Sequence, residues 1–195
     1  KVIINNEKKY YKYKNHFKKN NINVYFKIND VKSFFTKKID FSMCSITGIS
    51  GLKSTISAIK ISKVVGIANK ESIICAWNII RKNLEKFKTR FIPIDSEHFS
   101  IWSLLKNEKH GNIEKIYITA SGGPFLNKNK KDITNVKPKK AIKHPNWSMG
   151  KKISVDSATM MNKVFELIEA QRIFQIDIKK FEILVHRYSY FHSII

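Results

Sequence analysis

Val64-Val65-Gly66-Ile67-Ala68-Asn69-Lys70-Glu71 runs from an apolar stretch into polar residues, and apolar Ile73, Ile74, Trp77, Ile80 and Leu84 then recur at helical spacing. This reads as a strand feeding a helix. Upstream, the apolar runs Val2–Ile4 and Val24–Phe26 alternate with helical patterns such as Leu52–Ile61. Repeated strand-helix alternation predicts βαβ units, a parallel sheet and an α/β fold. Ligands in such sheets collect beyond the carboxyl ends of the strands. Those ends are therefore where to look for chemistry.

Two further strand ends carry it. Phe91-Ile92-Pro93-Ile94 runs straight into Asp95-Ser96-Glu97. If the chain stays extended there, both carboxylates point the same way. The competing reading is a capping pair at the start of the next helix. Ile116-Tyr117-Ile118-Thr119 leads into Ala120-Ser121-Gly122-Gly123-Pro124-Phe125. Paired glycines let a backbone approach a ligand closely, and Ser121 can donate to a phosphate; the plain alternative is a glycine turn. Lys70 also sits at a strand-to-helix junction.

His144-Pro145-Asn146-Trp147-Ser148-Met149-Gly150 is a loop bracketed by Pro145 and Gly150. Trp147 and Met149 have no periodic apolar partner, which suits either a lid or a loop anchored to a core. A helix is expected from Ser157 to about Phe174, capped by Asp156 or Ser157. One face carries Met161, Val164, Phe165, Ile168 and Ile173, the other Thr159, Asn162, Lys163, Glu166 and Glu169. Most helices of this kind merely lie on a surface. Here, Ser157, Asn162 and Lys163 near a helix start suit a phosphate. Glu166, with Asp95 and Glu97, would complete a hard-oxygen site for Mg²⁺ or Mn²⁺. No Cys/His grouping suits zinc.

These segments together resemble the 1-deoxy-D-xylulose 5-phosphate reductoisomerase family. The carrying residues are Ala68-Asn69-Lys70-Glu71-Ser72, Pro93-Ile94-Asp95-Ser96-Glu97-His98, Ser121-Gly122-Gly123-Pro124-Phe125 and the stretch from His144 to Glu166. The resemblance covers roughly residues 40–195, and residues 1–39 carry no family motif. It implies the C-terminal part of a Rossmann-like NADPH-binding domain at 1–94, followed by an α/β catalytic domain at 95–195 with a lid loop at 143–152. It implies Asp95, Glu97 and Glu166 as ligands of Mn²⁺ or Mg²⁺. It implies Lys70, Ser96, Ser121, His144, Trp147, Met149, Ser157, Asn162 and Lys163 as substrate contacts beside Glu97 and Glu166. Asn69, Glu71 and Gly150 resemble NADPH-contacting positions. The implied reaction rearranges 1-deoxy-D-xylulose 5-phosphate and reduces it with NADPH to 2-C-methyl-D-erythritol 4-phosphate, in isoprenoid biosynthesis. A homodimer is implied too.

The chain departs from the family in several places. Val164 and Ser62 stand where the family usually has glycine. Val164 is expected to add bulk at a packed position, and Ser62 to alter a turn. Arg187-Tyr188-Ser189-Tyr190, between His186 and His192, is divergent. The family's glycine-rich pyrophosphate turn, G-x-T-G-S-I-G, has no counterpart, since no glycine precedes Gly48. The chain opens on Lys1, and Phe181–Val185 reads as a strand in mid-sheet shortly before its last residue, Ile195. It therefore reads as an internal fragment of a longer enzyme, lacking the cofactor fingerprint and truncated at its C-terminus.

The formal net charge is +22, which ordinarily points to nucleic acid. Of 37 Lys and Arg residues, however, Arg81, Arg90, Arg172 and Arg187 are the only arginines, and the lysines are scattered. Nucleic-acid readers favour arginine forks. A basic nucleic-acid-binding module is thus the second reading, and an inactive relative the third. Residues 127–140, rich in Asn and Lys, read as a low-complexity loop. Cys44 and Cys75 sit in apolar contexts that favour buried free thiols. No apolar run is long enough to span a membrane. The Lys, Asn and Ile bias fits an AT-rich genome and, with the resemblance, a plastid-derived organelle of the apicoplast type; a bacterial cytoplasm is the alternative.

Overall fold

The computed structural model describes residues 2–26, 31–108, 110–144 and 148–195. Strand β1 (Val2–Ile4), helix α1 (Glu7–Lys19) and strand β2 (Val24–Phe26) form a βαβ unit whose two strands pair in parallel. Then follow β3 (Ile39–Cys44), α2 (Gly51–Ile61), β4 (Ser62–Ile67), α3 (Lys70–Lys86) and β5 (Arg90–Pro93). These strands make a parallel sheet in the order β3-β4-β5. The expected alternation is present: each strand end passes into a helix that returns over the sheet. Val65 and Ile67 of β4 are buried beneath Ile59 of α2 and Ile73, Trp77, Ile80 and Leu84 of α3. Gly66 of β4 has no room for a side chain, since a Cβ there would lie 2.8 Å from Ile94 and 2.9 Å from Phe41.

The second half contains α4 (Ser96–Leu104), β6 (Ile116–Ala120), the short helices α5 (Lys130–Thr134) and α6 (Pro138–Ala141), α7 (Lys151–Ala158), α8 (Met161–Phe174), β7 (Phe181–Val185) and β8 (Ser193–Ile194). Strand β6 lies between parallel β7 and antiparallel β8. Ile116 and Ile118 of β6 pack under Ile101 of α4 and Ala170 and Phe174 of α8. Ile173 touches this core and the one beneath α3, so α8 ties the two together.

Several expectations are corrected. Among the described residues, strand β7 lies at one edge of its sheet, and only Phe181 at its start is buried. Residues 127–140 hold the two short helices α5 and α6, the first closed by a capping box between Asn129 and Asp132. Cys44 is buried, but Cys75 is exposed on the outer face of α3. Ser62 does not disturb its turn. It is fully buried, its hydroxyl donates to the Ala58 carbonyl at 2.7 Å, and it lies 2.7 Å from the Ser42 hydroxyl. Val164 is 41% exposed, so its bulk points away from packed neighbours. Among the described residues, no helix is long and apolar enough to cross a membrane.

The single helix expected from Ser157 is two helices. Asp156 and Ser157 do not cap a helix start; they lie near the C-terminal end of α7. That helix starts instead at Gly150, whose carbonyl accepts from both the Ser154 amide and the Ser154 hydroxyl at 3.1 Å. The break falls at Met160, which adopts a left-handed conformation (φ 60°) and lets α8 restart at Met161. The apolar face of α8 turns inward only in part, Ile173 packing against both cores. Met161 and Val164 are exposed, whereas Lys163, Glu166 and Glu169 are buried.

Candidate active site

The carboxyl ends of β4, β5 and β6 deliver Lys70, Asp95 and Ser121 to one cavity of about 420 Å³. Glu97, Ser96, His144, Met149, Ser157, Asn162, Lys163 and Glu166 also line it. Of the expected catalytic and substrate-contacting residues, only Trp147 is missing from this set. It lies outside the described residues, as do Pro145 and Asn146.

Lys70 is the first residue of α3. The start of α3 is fixed by Asn69, whose side-chain oxygen accepts from the Ser72 amide at 2.6 Å. The Asn69 amide donates to the carbonyls of Gly48, at 2.8 Å, and Ile46. The Asn69 side chain is therefore committed to holding the strand-to-helix junction. Glu71 pairs with Lys152 at 3.5 Å, linking α3 to α7. Gly150 is exposed at the start of α7.

Asp95 and Glu97 converge without an extended chain. Asp95 occupies the capping position of α4 but makes no capping hydrogen bond. Its carboxylate turns instead to the Lys70 ammonium, 3.0 Å away. Glu97, in the first turn of α4, takes the Lys163 ammonium at 2.5 Å and accepts from the Ser96 hydroxyl at 2.8 Å. Glu166 arrives from α8. Its Oε1 accepts from the Asn162 amide and lies 3.8 Å from Lys70 Nζ. Its Oε2 pairs with Lys163 at 2.5 Å but lacks hydrogen-bond geometry. The Asn162 oxygen accepts from Lys70 at 2.8 Å. The polar face of α8 is buried because these two lysines and the carboxylates neutralise one another there.

Oxygens of Asp95, Glu97 and Glu166 lie within 4.8 Å of one another. Three hard anionic donors that close fit a Mg²⁺ or Mn²⁺ ion. Burial pushes Glu166 up to about 8, aided by the Glu97 charge. Burial likewise pushes Glu169 up to about 9, aided by Asp95. Burial would also raise Asp95, but the Lys70 charge holds it down at about 2. Burial disfavours the Lys70 ammonium, yet Asp95 and Glu166 outweigh that and hold it above the ordinary lysine range.

The sign of the pH dependence follows. From about pH 4.5 up to about 8 for Glu166 and about 9 for Glu169, the metal-free folded state keeps protons that an unfolded chain releases near 4.5. Stability of the metal-free protein therefore falls as pH rises through this window. Asp95, Lys70 and Lys163 keep their charges throughout it. Saturating Mg²⁺ flattens the fall, because it holds Glu166 ionised. Denaturant melts at three pH values with and without Mg²⁺ measure this. A metal-free profile that rises with pH contradicts it.

The remaining lining residues suit an anion and a polyol. The Ser121 hydroxyl lies 3.0 Å from His144 Nε2, and burial lowers the histidine's pKa. Gly123 lets this loop approach α7: a Cβ would meet the Ser157 carbonyl at 2.8 Å, and φ is +66°. Replacing Gly123 by Ala is expected to destabilise the protein by about 2 kcal/mol or more, readable by thermal melting. An unchanged melting temperature contradicts it. Thr119, Ile153, Ser189 and His192 also line the cavity. The sequence held no signal for Thr119 or Ile153; His192 fits the family's spacing without having been assigned a role, and Ser189 stood in the divergent stretch before it.

Residues 1–77 match the family model "1-deoxy-D-xylulose 5-phosphate reductoisomerase", and residues 91–174 match the model of its C-terminal domain. The chain belongs to the 1-deoxy-D-xylulose 5-phosphate reductoisomerase family. The reductoisomerase of Pelagibacter ubique is 64% identical over 158 residues, covering 81% of this chain and 41% of that protein. The reductoisomerase of Clostridium tetani is 45% identical over 158 residues, with the same 81% and 41% coverage. The chain thus spans about two-fifths of the length of the curated relatives it matches. Two solved reductoisomerases share the fold. That of Zymomonas mobilis in complex with NADPH superposes with a TM-score of 0.85 at 37% identity, covering 98% of this chain and 49% of that one. A reductoisomerase in complex with NADPH, fosmidomycin and magnesium gives 0.84 at 34% identity, covering 98% and 50%.

Proposed function

We propose that this chain forms the metal- and substrate-holding part of an enzyme that converts 1-deoxy-D-xylulose 5-phosphate to 2-C-methyl-D-erythritol 4-phosphate, using NADPH and a divalent cation. The observation that carries the proposal is the meeting of Asp95, Glu97 and Glu166 in a cavity that also presents Lys70, Ser121, Ser157, Asn162 and Lys163. The solved relatives bound to NADPH and to magnesium support both cofactors.

Asp95, Glu97 and Glu166 would hold the divalent cation, which would supply polarisation of a carbonyl and stabilisation of charge on a neighbouring oxygen. The chain's own groups do the rest. Lys70 and Lys163 supply fixed positive charge beside the reacting oxygens. Ser121, Ser157 and Asn162 offer hydrogen bonds to phosphate and hydroxyl groups, and binding energy gained at the phosphate is remote from the reacting carbons. Met149 and Ile153 supply apolar lining that excludes water. Asn69 contributes by fixing the helix that carries Lys70, and Glu71 and Gly150 border the side on which NADPH is placed by the resemblance.

The intact carboxylate trio speaks against an inactive relative, and the scattered lysines speak against a nucleic-acid reader. Mn²⁺ suits the oxygen donors as well as Mg²⁺. A homodimer is part of the proposal, and exposed Ile183, Leu184, Val185 and Ile194 on the β6 sheet suit such a contact. The composition and the resemblance support a plastid-derived organelle, with a bacterial cytoplasm as the alternative. The test is NADPH consumption by the complete enzyme that carries this chain, with 1-deoxy-D-xylulose 5-phosphate, before and after chelation of divalent metal. Consumption that requires both substrate and metal is expected, and substrate-dependent consumption insensitive to chelation contradicts the metal role.

A further inference from the structure

Glu169 is absent from the cavity lining and from the carboxylate trio read as the metal site, yet it is only 1% exposed. Its Oε2 has no hydrogen-bond partner. Facing it is His98 of α4, fully buried, with Nδ1 at 3.9 Å and equally without a hydrogen bond. The other ring nitrogen, Nε2, lies 2.9 Å from the main-chain carbonyl of Glu166. A carbonyl only accepts, so Nε2 carries the hydrogen, and Nδ1 is the atom left to face Glu169. The ring thus spans α8, with Glu169 on one side and the Glu166 backbone on the other.

We propose that Glu169 is a positioning residue that orients the His98 ring through Nδ1, so that Nε2–H grips the Glu166 carbonyl and fixes the aim of the Glu166 carboxylate. The proposal rests on the reading of Glu166 as a metal ligand. Groups behind the first ligands commonly act in this way, orienting them and tuning metal affinity. A second cation held by Asp95, His98 and Glu169 is the competing reading, since their ligand atoms also lie within 4.8 Å of one another. Asp95 already serves the carboxylate trio, which leaves a second cation only His98 and Glu169.

Mn²⁺ binding, followed by the loss of the free-ion paramagnetic resonance signal, tests the proposal on the purified protein and on Glu169→Gln and Glu169→Leu. Glutamine keeps the shape and a group able to meet Nδ1, so Glu169→Gln binds Mn²⁺ within about threefold of the parent. Glu169→Leu weakens Mn²⁺ by about tenfold or more, the range typical of lost outer partners, while it still unfolds as a single folded species. Glu169→Leu binding Mn²⁺ like the parent overturns the proposal. So does Glu169→Gln losing tenfold, since the charge itself would then be needed; this arm decides if Glu169→Leu fails to fold. A parent that binds no Mn²⁺ overturns the metal reading itself, and that failure is separate from the other two.

Discussion

Replacing Glu166 by Gln is expected to cut turnover by at least about 10³-fold while leaving the protein folded. The side chain is 1% exposed and stands between Asn162, Lys163 and Lys70, so an isosteric amide keeps the volume. What it removes is one of three anionic ligands. Both Glu166 oxygens face donors, Oε1 the Asn162 amide and Oε2 the Lys163 ammonium, so the NH2 of a glutamine meets one of them. Metal-free Glu166→Gln should therefore stay folded but melt a few degrees below the parent. The gain in stability that Mg²⁺ gives the parent by binding only its folded state should disappear. Near-normal turnover in this variant contradicts the ligand role, and loss of the fold contradicts the electrostatic account.

Lys70→Met is expected to be the second most damaging change, and it differs in kind. Lys70 has 12% of its side chain exposed and holds Asp95 at 3.0 Å and Asn162 at 2.8 Å. Removing one partner of a buried ion pair leaves the other uncompensated, at a cost of about 3–5 kcal/mol. The carboxylates then repel one another unless a cation replaces the ammonium. Metal-free Lys70→Met should consequently melt well below the parent, and Mg²⁺ should restore much of the loss. Turnover should remain at least about 10²-fold down even at saturating Mg²⁺, because Lys70 also supplies positive charge beside the reacting oxygens. Equal melting of variant and parent without metal contradicts the pairing.

Much of this was legible in the residues. Apolar runs ending in polar junctions marked β4, β5 and β6, and the three junctions bearing Lys70, Asp95 and Ser121 do meet. The helix carrying Glu166 was the harder case. Its period was visible, but period assigns faces and not which face turns inward. The polar face turned inward because Lys163 and Lys70 lie within reach of Glu97, Glu166 and Asp95, a pairing between segments distant in sequence. The break before that helix depends on the left-handed backbone of Met160, which neither propensity nor spacing marks. Asp156 and Ser157 looked like a helix start because their residue types favour caps, but an earlier start at Gly150 already contains them. His98 and Glu169 were in view as residues, yet their facing atoms belong to α4 and α8 and are brought together by the fold alone.

Diffraction from a crystal soaked in Mn²⁺, recorded at the manganese absorption edge, bears most directly on the site. The account predicts one strong anomalous peak within about 2.5 Å of oxygens from Asp95, Glu97 and Glu166. A peak elsewhere, or none at these three carboxylates in crystals that hold manganese, contradicts it.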